Sequence, residues 1–263
     1  MDYDRARSII VNFIRSKVKE ADSTGVVIGL SGGIDSAVAA NLAVEALGSE
    51  NVLGIHLPEE GVTSPKDSKD SEIIANSLGI NFKNIDISRI LNCFISEIPD
   101  EAGEKPPVVG NLKSRIRMCL LYYYANSFNK MVMGTGNKSE IMLGYFTKYG
   151  DGGVDLEPIG DLYKTEVFEL AKLLSIPEHI INKKPSAGLW SGQTDENELG
   201  LPYEIIDRIL DLVSHGEKPE NLQQIFDLTP EQIDLLLSRM KSNIHKRKVP
   251  PISIVDAARH YME

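Results

Sequence analysis

Positions Ala6, Ile9, Ile10, Phe13, Ile14 and Val18 fall on one face at helical spacing, which predicts an amphipathic helix over 5–18. The short apolar run Val26-Val27-Ile28-Gly29-Leu30 reads as a buried parallel strand. A helix follows over 36–47, apolar on most sides (Ala37, Val38, Ala40, Leu42, Ala43, Val44, Leu47), with Gly48 placed to end it. The alternation continues with strand 52–57, helix 68–78, strand 81–87, helix 111–128, strand 131–134 and helix 165–174. This rhythm predicts an α/β fold, an open, mostly parallel twisted sheet with helices on both faces. The last third has helical patterns only, near 202–213, 230–243 and 252–261, so a helical C-terminal part is expected.

Two segments interrupt the rhythm. Residues 99–110 (PDEAGEKPPVVG) form a turn-rich connection, and residues 183–201 (KKPSAGLWSGQTDENELGL) have no clear periodicity. Structureless stretches of that length are usually functional or disordered, so both are candidates for mobile loops. The 263-residue length and the lack of an internal repeat favour one domain over 1–263.

Charge narrows the partners. Lys+Arg 28 against Asp+Glu 38 gives a net charge of −10, which argues against a general nucleic-acid binder but leaves room for an anionic small substrate at a local cluster of cations. Cys93 and Cys119 lie far apart with no CxxC, so a disulfide framework, a zinc ribbon and a dithiol redox site are poorly supported. No apolar stretch has signal-peptide length, and none approaches the roughly 20 residues of a membrane span. The expectation is a soluble cytoplasmic protein with no membrane partner.

The chemistry concentrates in Leu30-Ser31-Gly32-Gly33-Ile34-Asp35-Ser36, between a predicted strand and a predicted helix. A helix N-terminus presents unpaired N–H groups and partial positive charge to an anion. Adjacent glycines let backbone approach a phosphate closely. Ser31 and Ser36 add hydroxyls. Asp35 would repel a phosphate, so its expected role is to hold a magnesium ion against it. Neither GxxxxGK[ST] nor GxGxxG is present, which sets aside P-loop and dinucleotide-fingerprint readings.

This loop resembles the SGGxDS pyrophosphate loop of the N-type ATP pyrophosphatases. Downstream, GTGNKSE (134–140), GYFTKYGDGGVDLEPIGDLYKTEV (144–167), KKPSAGLW and GQTDENELG within 183–200, and HKRKVPP (245–251) resemble the ammonia-dependent NAD synthetases, in the expected order and over most of the chain. The resemblance implies an adenine nucleotide alpha hydrolase-like, Rossmann-like fold. It implies ATP-dependent amidation of deamido-NAD to NAD with ammonia through an acyl-adenylate, releasing AMP and pyrophosphate. ATP is then a co-substrate and Mg2+ the cofactor. By the same resemblance, ATP is bound by Gly29, Leu30, Ser31, Gly32, Gly33, Ile34, Asp35, Ser36, Thr135, Lys164 and Ser186, the last standing where the family usually has Thr. Asp35 and Glu140 are the implied metal ligands. Arg115, Lys148, Asp155, His245 and Lys246 are implied to bind deamido-NAD. Asp35, Lys164 and Ser186 are the implied catalytic residues, with Asp151 holding or deprotonating the incoming ammonium. A homodimer is implied as well. The length leaves no room for a glutaminase or nitrilase domain, so free ammonia or a separate ammonia-supplying partner is expected.

Taken singly, these residues have structural readings. Glu140, Lys148 and Lys164 could be solvated surface groups, and Asp155 could close a turn beside Gly152-Gly153. The cations of 241–248 could oppose a helix dipole, and His56 fits a packed, hydrogen-bonded role better than a metal ligand. Trp190 could anchor a lid or sit incidentally at the surface. Arg115 and Arg117 point to different helix faces, so one of them could be structural. Two rivals share the first loop. A tRNA-modifying ATP pyrophosphatase is disfavoured by the acidic charge, and a non-catalytic adenine-nucleotide sensor would not need Asp35, Glu140 and Lys164 together.

Overall fold

Four short strands pair in parallel in the order β3-β2-β1-β4: β1 (Val26–Gly29), β2 (Val52–His56), β3 (Asn81–Asn84) and β4 (Met131–Met133). The computed structural model describes residues 1–98 and 105–255. Alternate residues of β1 feed opposite faces, as a strand period of two requires. Val26 and Ile28 enter a core with α1 (Tyr3–Glu20), α2 (Ile34–Leu47), α3 (Pro65–Leu78) and α7 (Lys164–Leu173), whereas Val27 enters one with α4 (Ser88–Ser96) and α5 (Pro106–Ser127). The result is a Rossmann-like α/β fold, with helices on both faces of the sheet as the sequence pattern predicts. No helix among the described residues is long and apolar enough to cross a membrane.

The chain runs outward from β1 to β2 and β3, then returns to place β4 on the other side of β1. The order therefore reverses between β1 and β4. In open α/β sheets ligands bind at the carboxyl ends of the strands flanking such a reversal. The loop 30–33 follows β1 there, and Gly134-Thr135-Gly136 follows β4.

A third core packs the short helices α6 (Lys138–Leu143) and α9 (Asp195–Leu199) with α10 (Tyr203–Ser214), α11 (Pro219–Phe226) and α12 (Pro230–Ser242). Another short helix, α8 (Glu178–Ile181), lies between α7 and the segment 183–201.

Several expectations need correction. The strand predicted over 81–87 stops at Asn84, and the chain turns into α4 instead. Ile90, Leu91, Phe94 and Ile95 have the i, i+1, i+4, i+5 spacing that reveals α4 in hindsight. The connection 99–110 is partly helical. Residues 99–104 lie outside those described, but α5 begins at Pro106, because proline's missing N–H costs nothing in a first turn, where N–H groups have no intrahelical acceptor. The segment 183–201 contains α9. The helix predicted over 252–261 is absent from 252–255, which are exposed, and 256–261 lie outside the described residues.

Candidate active site

The loop after β1 folds on its own hydroxyls. Ser36 Oγ donates to Gly33 O (3.0 Å) and accepts from Ser31 N–H (3.3 Å), and Ser31 Oγ accepts from Gly33 N–H (3.2 Å). Gly33 is the N-cap of α2 and offers no side chain to cap it, so the first N–H groups of this helix lack an intrahelical partner and a side-chain cap. Such a terminus suits an anion.

Asp35, in the first turn of α2, meets two groups from the far side of the sheet reversal. Its Oδ2 lies 2.5 Å from Lys164 Nζ, and its Oδ1 accepts from Asn137 Nδ2 (3.0 Å). Glu140 Oε1 lies 3.8 Å from the same Lys164 nitrogen. Asn137 and Glu140 bond each other's backbone N–H groups in a capping box at the start of α6, which fixes both side chains. Lys164 is the first residue of α7. Its N–H donates to Ser139 Oγ (2.9 Å), whose hydroxyl donates to Asp207 Oδ1, while Asp207 Oδ2 accepts from Thr165 N–H (2.8 Å).

Lys164 is 2% exposed. Burial opposes its charge, but Asp35 and Glu140 outweigh that and hold the ammonium above the usual lysine range. Burial and the neighbouring Asp35 carboxylate push Glu140 well above the usual carboxylate range. Asp195 on α9 adds further negative charge nearby, its oxygens accepting from Tyr145 (3.2 Å) and Tyr203 (3.0 Å). Asp35 and Glu140 thus converge on one cation beside an anion-ready helix end. This donor set fits Mg2+, which takes one or two carboxylates and completes its shell with water and phosphate oxygens.

The other predicted residues are arranged differently. Arg115 Nη2 donates to Lys148 O (3.3 Å), and Lys148 Nζ donates to His245 O (2.8 Å), so these three form a chain across α5, the turn 144–151 and the C-terminal segment. Lys246 Nζ is engaged with Gly144 O (2.7 Å) and Phe146 O (2.8 Å). Asp151 Oδ1 accepts from Ser114 Oγ (2.7 Å) and Thr147 N–H (2.9 Å). Asp155 accepts from Tyr122 OH (2.9 Å) and from Val132 N–H (2.7 Å), satisfying a backbone donor along the outer edge of β4. Thr135 lies half-buried between Gly134 and Gly136. Ser186 is exposed, and its Oγ accepts from Gly188 N–H (3.1 Å).

His56 bonds Leu30 O (2.7 Å) and Ser68 Oγ (2.9 Å) through its two ring nitrogens, and burial lowers its pKa. Of the two arginines, Arg117 is held by Leu57 O (3.0 Å), so it braces the loop after β2.

Sequence reasoning missed Asn137, Asp195 and Glu157. Asn137 had a signal, because Asn-x-x-Glu is a capping-box spacing. Glu157 had none. Its Oε2 accepts from Gly136 N–H (3.0 Å), and its carboxylate fills the space a Cβ on Gly134 would need. Burial, countered in part by the Gly136 N–H and supported by Asp151, pushes Glu157 up to about 8.

Comparison with known proteins fits this geometry. The NAD synthase family model matches residues 7–250. The chain is 54% identical to the NH(3)-dependent NAD(+) synthetase of Methanococcoides burtonii over 98% of each protein. It is 50% identical to that of Archaeoglobus fulgidus over 97% of this chain and 98% of the other. Among solved structures, the NMN synthetase of Francisella tularensis is 35% identical with a TM-score of 0.85, covering 96% of this chain and 99% of that one. An NH3-dependent NAD synthetase of Campylobacter jejuni is 35% identical with a TM-score of 0.80, covering 97% and 100%.

Proposed function

From the premise that this chain belongs to the NAD synthase family, and so is an ATP-dependent carbon–nitrogen ligase that amidates deamido-NAD to NAD with ammonia, we propose how its residues divide the work. The observation that carries the reading is the convergence of Asp35, Lys164 and Glu140 beside the uncapped start of α2.

A pyridine carboxylate resists attack by ammonia, because it is negatively charged and lacks a good leaving group. In the proposed first step its oxygen bonds to the α-phosphorus of ATP, the bond to the bridging oxygen breaks, and pyrophosphate leaves. The N–H groups of the loop 31–36 and its two serine hydroxyls meet the charge that grows on the leaving group. Lys164, bound in place by Asp35, supplies a fixed ammonium to the same phosphates. Asp35 and Glu140 would hold Mg2+, which supplies Lewis-acid polarisation of the phosphoryl oxygens. Thr135 and Ser186 contact ATP from the loops on either side.

In the second step ammonia bonds to the acyl carbon and AMP leaves with the oxygen it gained, giving the amide and one proton. Asp151, held by Ser114 and Thr147, keeps Oδ2 for the ammonium or that proton. Arg115, Lys148, His245, Lys246 and Asp155 hold the dinucleotide acid. The segment 183–201 closes over the adenylate and keeps competing water away. Protease cleavage there should be suppressed by ATP plus deamido-NAD; an unchanged cleavage pattern counts against closure.

One domain over 1–263 is proposed, working as a homodimer. Ile9 on α1 (61% exposed) and Tyr123 on α5 (65% exposed) are apolar groups that a second subunit would cover. The enzyme is taken to act in the cytoplasm, without nucleic-acid or membrane partners, on free ammonia or ammonia from a separate protein.

The test uses ATP labelled at the α-phosphate with magnesium, ammonium and deamido-NAD. Labelled AMP and NAD should form together, only when the acid and ammonium are both present. ADP as the product overturns the mechanism. The Francisella relative is named for NMN, so nicotinic acid mononucleotide is included as a competing acid. Its preferred use overturns the substrate assignment.

A further inference from the structure

Lys183 opens the aperiodic segment, and its ammonium is used up within the protein. Nζ lies 2.7 Å from Gly32 O, 2.6 Å from Asp67 Oδ1 and 2.7 Å from Asp70 Oδ2. Two of its donors are committed to Gly32 O and Asp67 Oδ1, and its charge is paired with the buried Asp70. That separates Lys183 from Lys164, whose ammonium meets Asp35 and Glu140 at the proposed metal position.

The group it holds is the glycine turn of the nucleotide loop. Gly32 has φ +79°, a left-handed conformation that an L side chain adopts at a cost, and a Cβ there would overlap the Asp67 carbonyl. The turn therefore rests directly on the first turn of α3. Gly32 O points at Lys183, which fixes the rotation of the Gly32–Gly33 peptide and hence the direction of the Gly33 N–H.

The acids behind Lys183 are themselves fixed. Asp67 N–H donates to Ser64 Oγ (3.0 Å) at the N-cap of α3. Asp70 is 2% exposed, and its other oxygen faces His179 Nε2 (3.0 Å) from α8. Burial raises the Asp70 carboxyl, but Lys183 and His179 outweigh it and hold the group below its ordinary range.

Three residues after Lys183 comes Ser186, and three further on Leu189, whose carbonyl accepts from the buried Lys113 of α5 (2.8 Å). Lys113 is paired with Glu59 (2.7 Å). The stretch around Ser186 thus hangs between two ammonium clamps, one of which grips the nucleotide loop. Trp190, the sole tryptophan of the chain, sits just beyond the second clamp against Gly110.

We propose that Lys183 is a positioning residue that sets the orientation of the Gly32–Gly33 peptide and couples it to the stretch carrying Ser186, so that nucleotide loop and closing segment are aligned as one unit. The proposal rests on the ATP-binding reading of the loop.

Lys183→Met keeps the length of the side chain and removes both hydrogen bonds and the ion pair with Asp70. The expected result is ATP binding weaker by about tenfold by calorimetry, as losing a charge-assisted contact predicts. Acid-dependent exchange of pyrophosphate into ATP should slow by about 100-fold, because small misplacements are amplified in the rate. The KM for deamido-NAD should stay within about twofold. Lys183→Arg should recover part of both losses, and the change in Trp190 fluorescence on adding ATP should shrink in the Met variant. Lys172→Met, at an exposed position near the end of α7, is the control and should behave as the parent. Should Lys183→Met fail to fold, Asp67→Asn loosens the same clamp at a half-exposed partner and should shift ATP binding in the same direction, by less. Unchanged ATP affinity in Lys183→Met, or an equal loss for ATP and deamido-NAD, overturns the assignment. If the parent binds ATP but shows no exchange, it is the adenylation step that fails, and the calorimetry still decides the role of Lys183.

Discussion

The two halves of the candidate site are built differently. On the nucleotide side, charged groups meet each other: Asp35, Lys164 and Glu140 converge from three helices, and Lys164 is 2% exposed. On the acid side, the cations Arg115, Lys148 and Lys246 are bonded to backbone carbonyls, and Arg115 and His245 are exposed. The first arrangement is a buried electrostatic unit whose parts depend on one another. The second is a surface whose charges remain available because carbonyls do not neutralise them. A reaction that must stabilise charge leaving a phosphate needs the first kind of construction. Holding a long, flexible anion needs only the second.

The difference predicts unequal sensitivity, largest at Asp35. Asp35→Ala removes the proposed metal ligand and the partner that fixes Lys164, so pyrophosphate release should fall by at least about 1,000-fold. The folded yield should also fall, because Lys164 is left buried without the carboxylate that hydrogen-bonds it. A burst of pyrophosphate near the parent level in a rapid-quench assay would show that the buried unit is not the seat of the chemistry.

A smaller and more selective effect belongs to the acid side. His245→Ala should raise the KM for deamido-NAD by about tenfold and leave that for ATP within about twofold, the signature of lost substrate binding. Steady-state kinetics with each substrate varied in turn decides this. A selective loss of ATP affinity would erase the distinction between the halves.

The same contrast governs how much could be read from the chain alone. Most of the sheet was legible because β1, β2 and β4 are apolar runs set between helical periods, whereas β3 carries a single apolar residue, Phe82; the anion-ready start of α2 was legible because glycines and hydroxyls cluster where strand becomes helix. Lys164 was named only through resemblance, since nothing local distinguishes a lysine that becomes buried from one that stays solvated. Its partner Asp35 lies 129 positions away and meets it only through the reversal of strand order. Lys183 and Lys113 were invisible for the same reason. The error at 81–87 has a different origin: the apolar positions beyond Asn84 change period within a few residues, from strand to the turn of α4. The missed start of α5 came from reading its two prolines as a break rather than as a first turn.

Glu157 gives the smallest effect and separates the halves without touching activity strongly. Its carboxyl lies under Gly134, bonded by Gly136 N–H. Folded, it holds its proton up to about 8; unfolded, it would release it near the carboxylate value of 4.5. Between those values the folded protein binds the extra proton, so this group's contribution to stability falls as pH rises and levels off above about pH 8. Glu157→Gln keeps the shape and the acceptor for Gly136 but cannot ionise. The variant should match the parent near pH 4.5 and exceed it above pH 8, by on the order of 1 kcal/mol because partial exposure screens the charge. Denaturant melts at the two pH values measure the difference directly. His245→Ala, on the exposed side, should show no such divergence from the parent. A Glu157→Gln variant equally stable with the parent at both pH values would mean that the carboxylate at the nucleotide end is solvated after all, and that the two halves differ less in burial than their contacts imply.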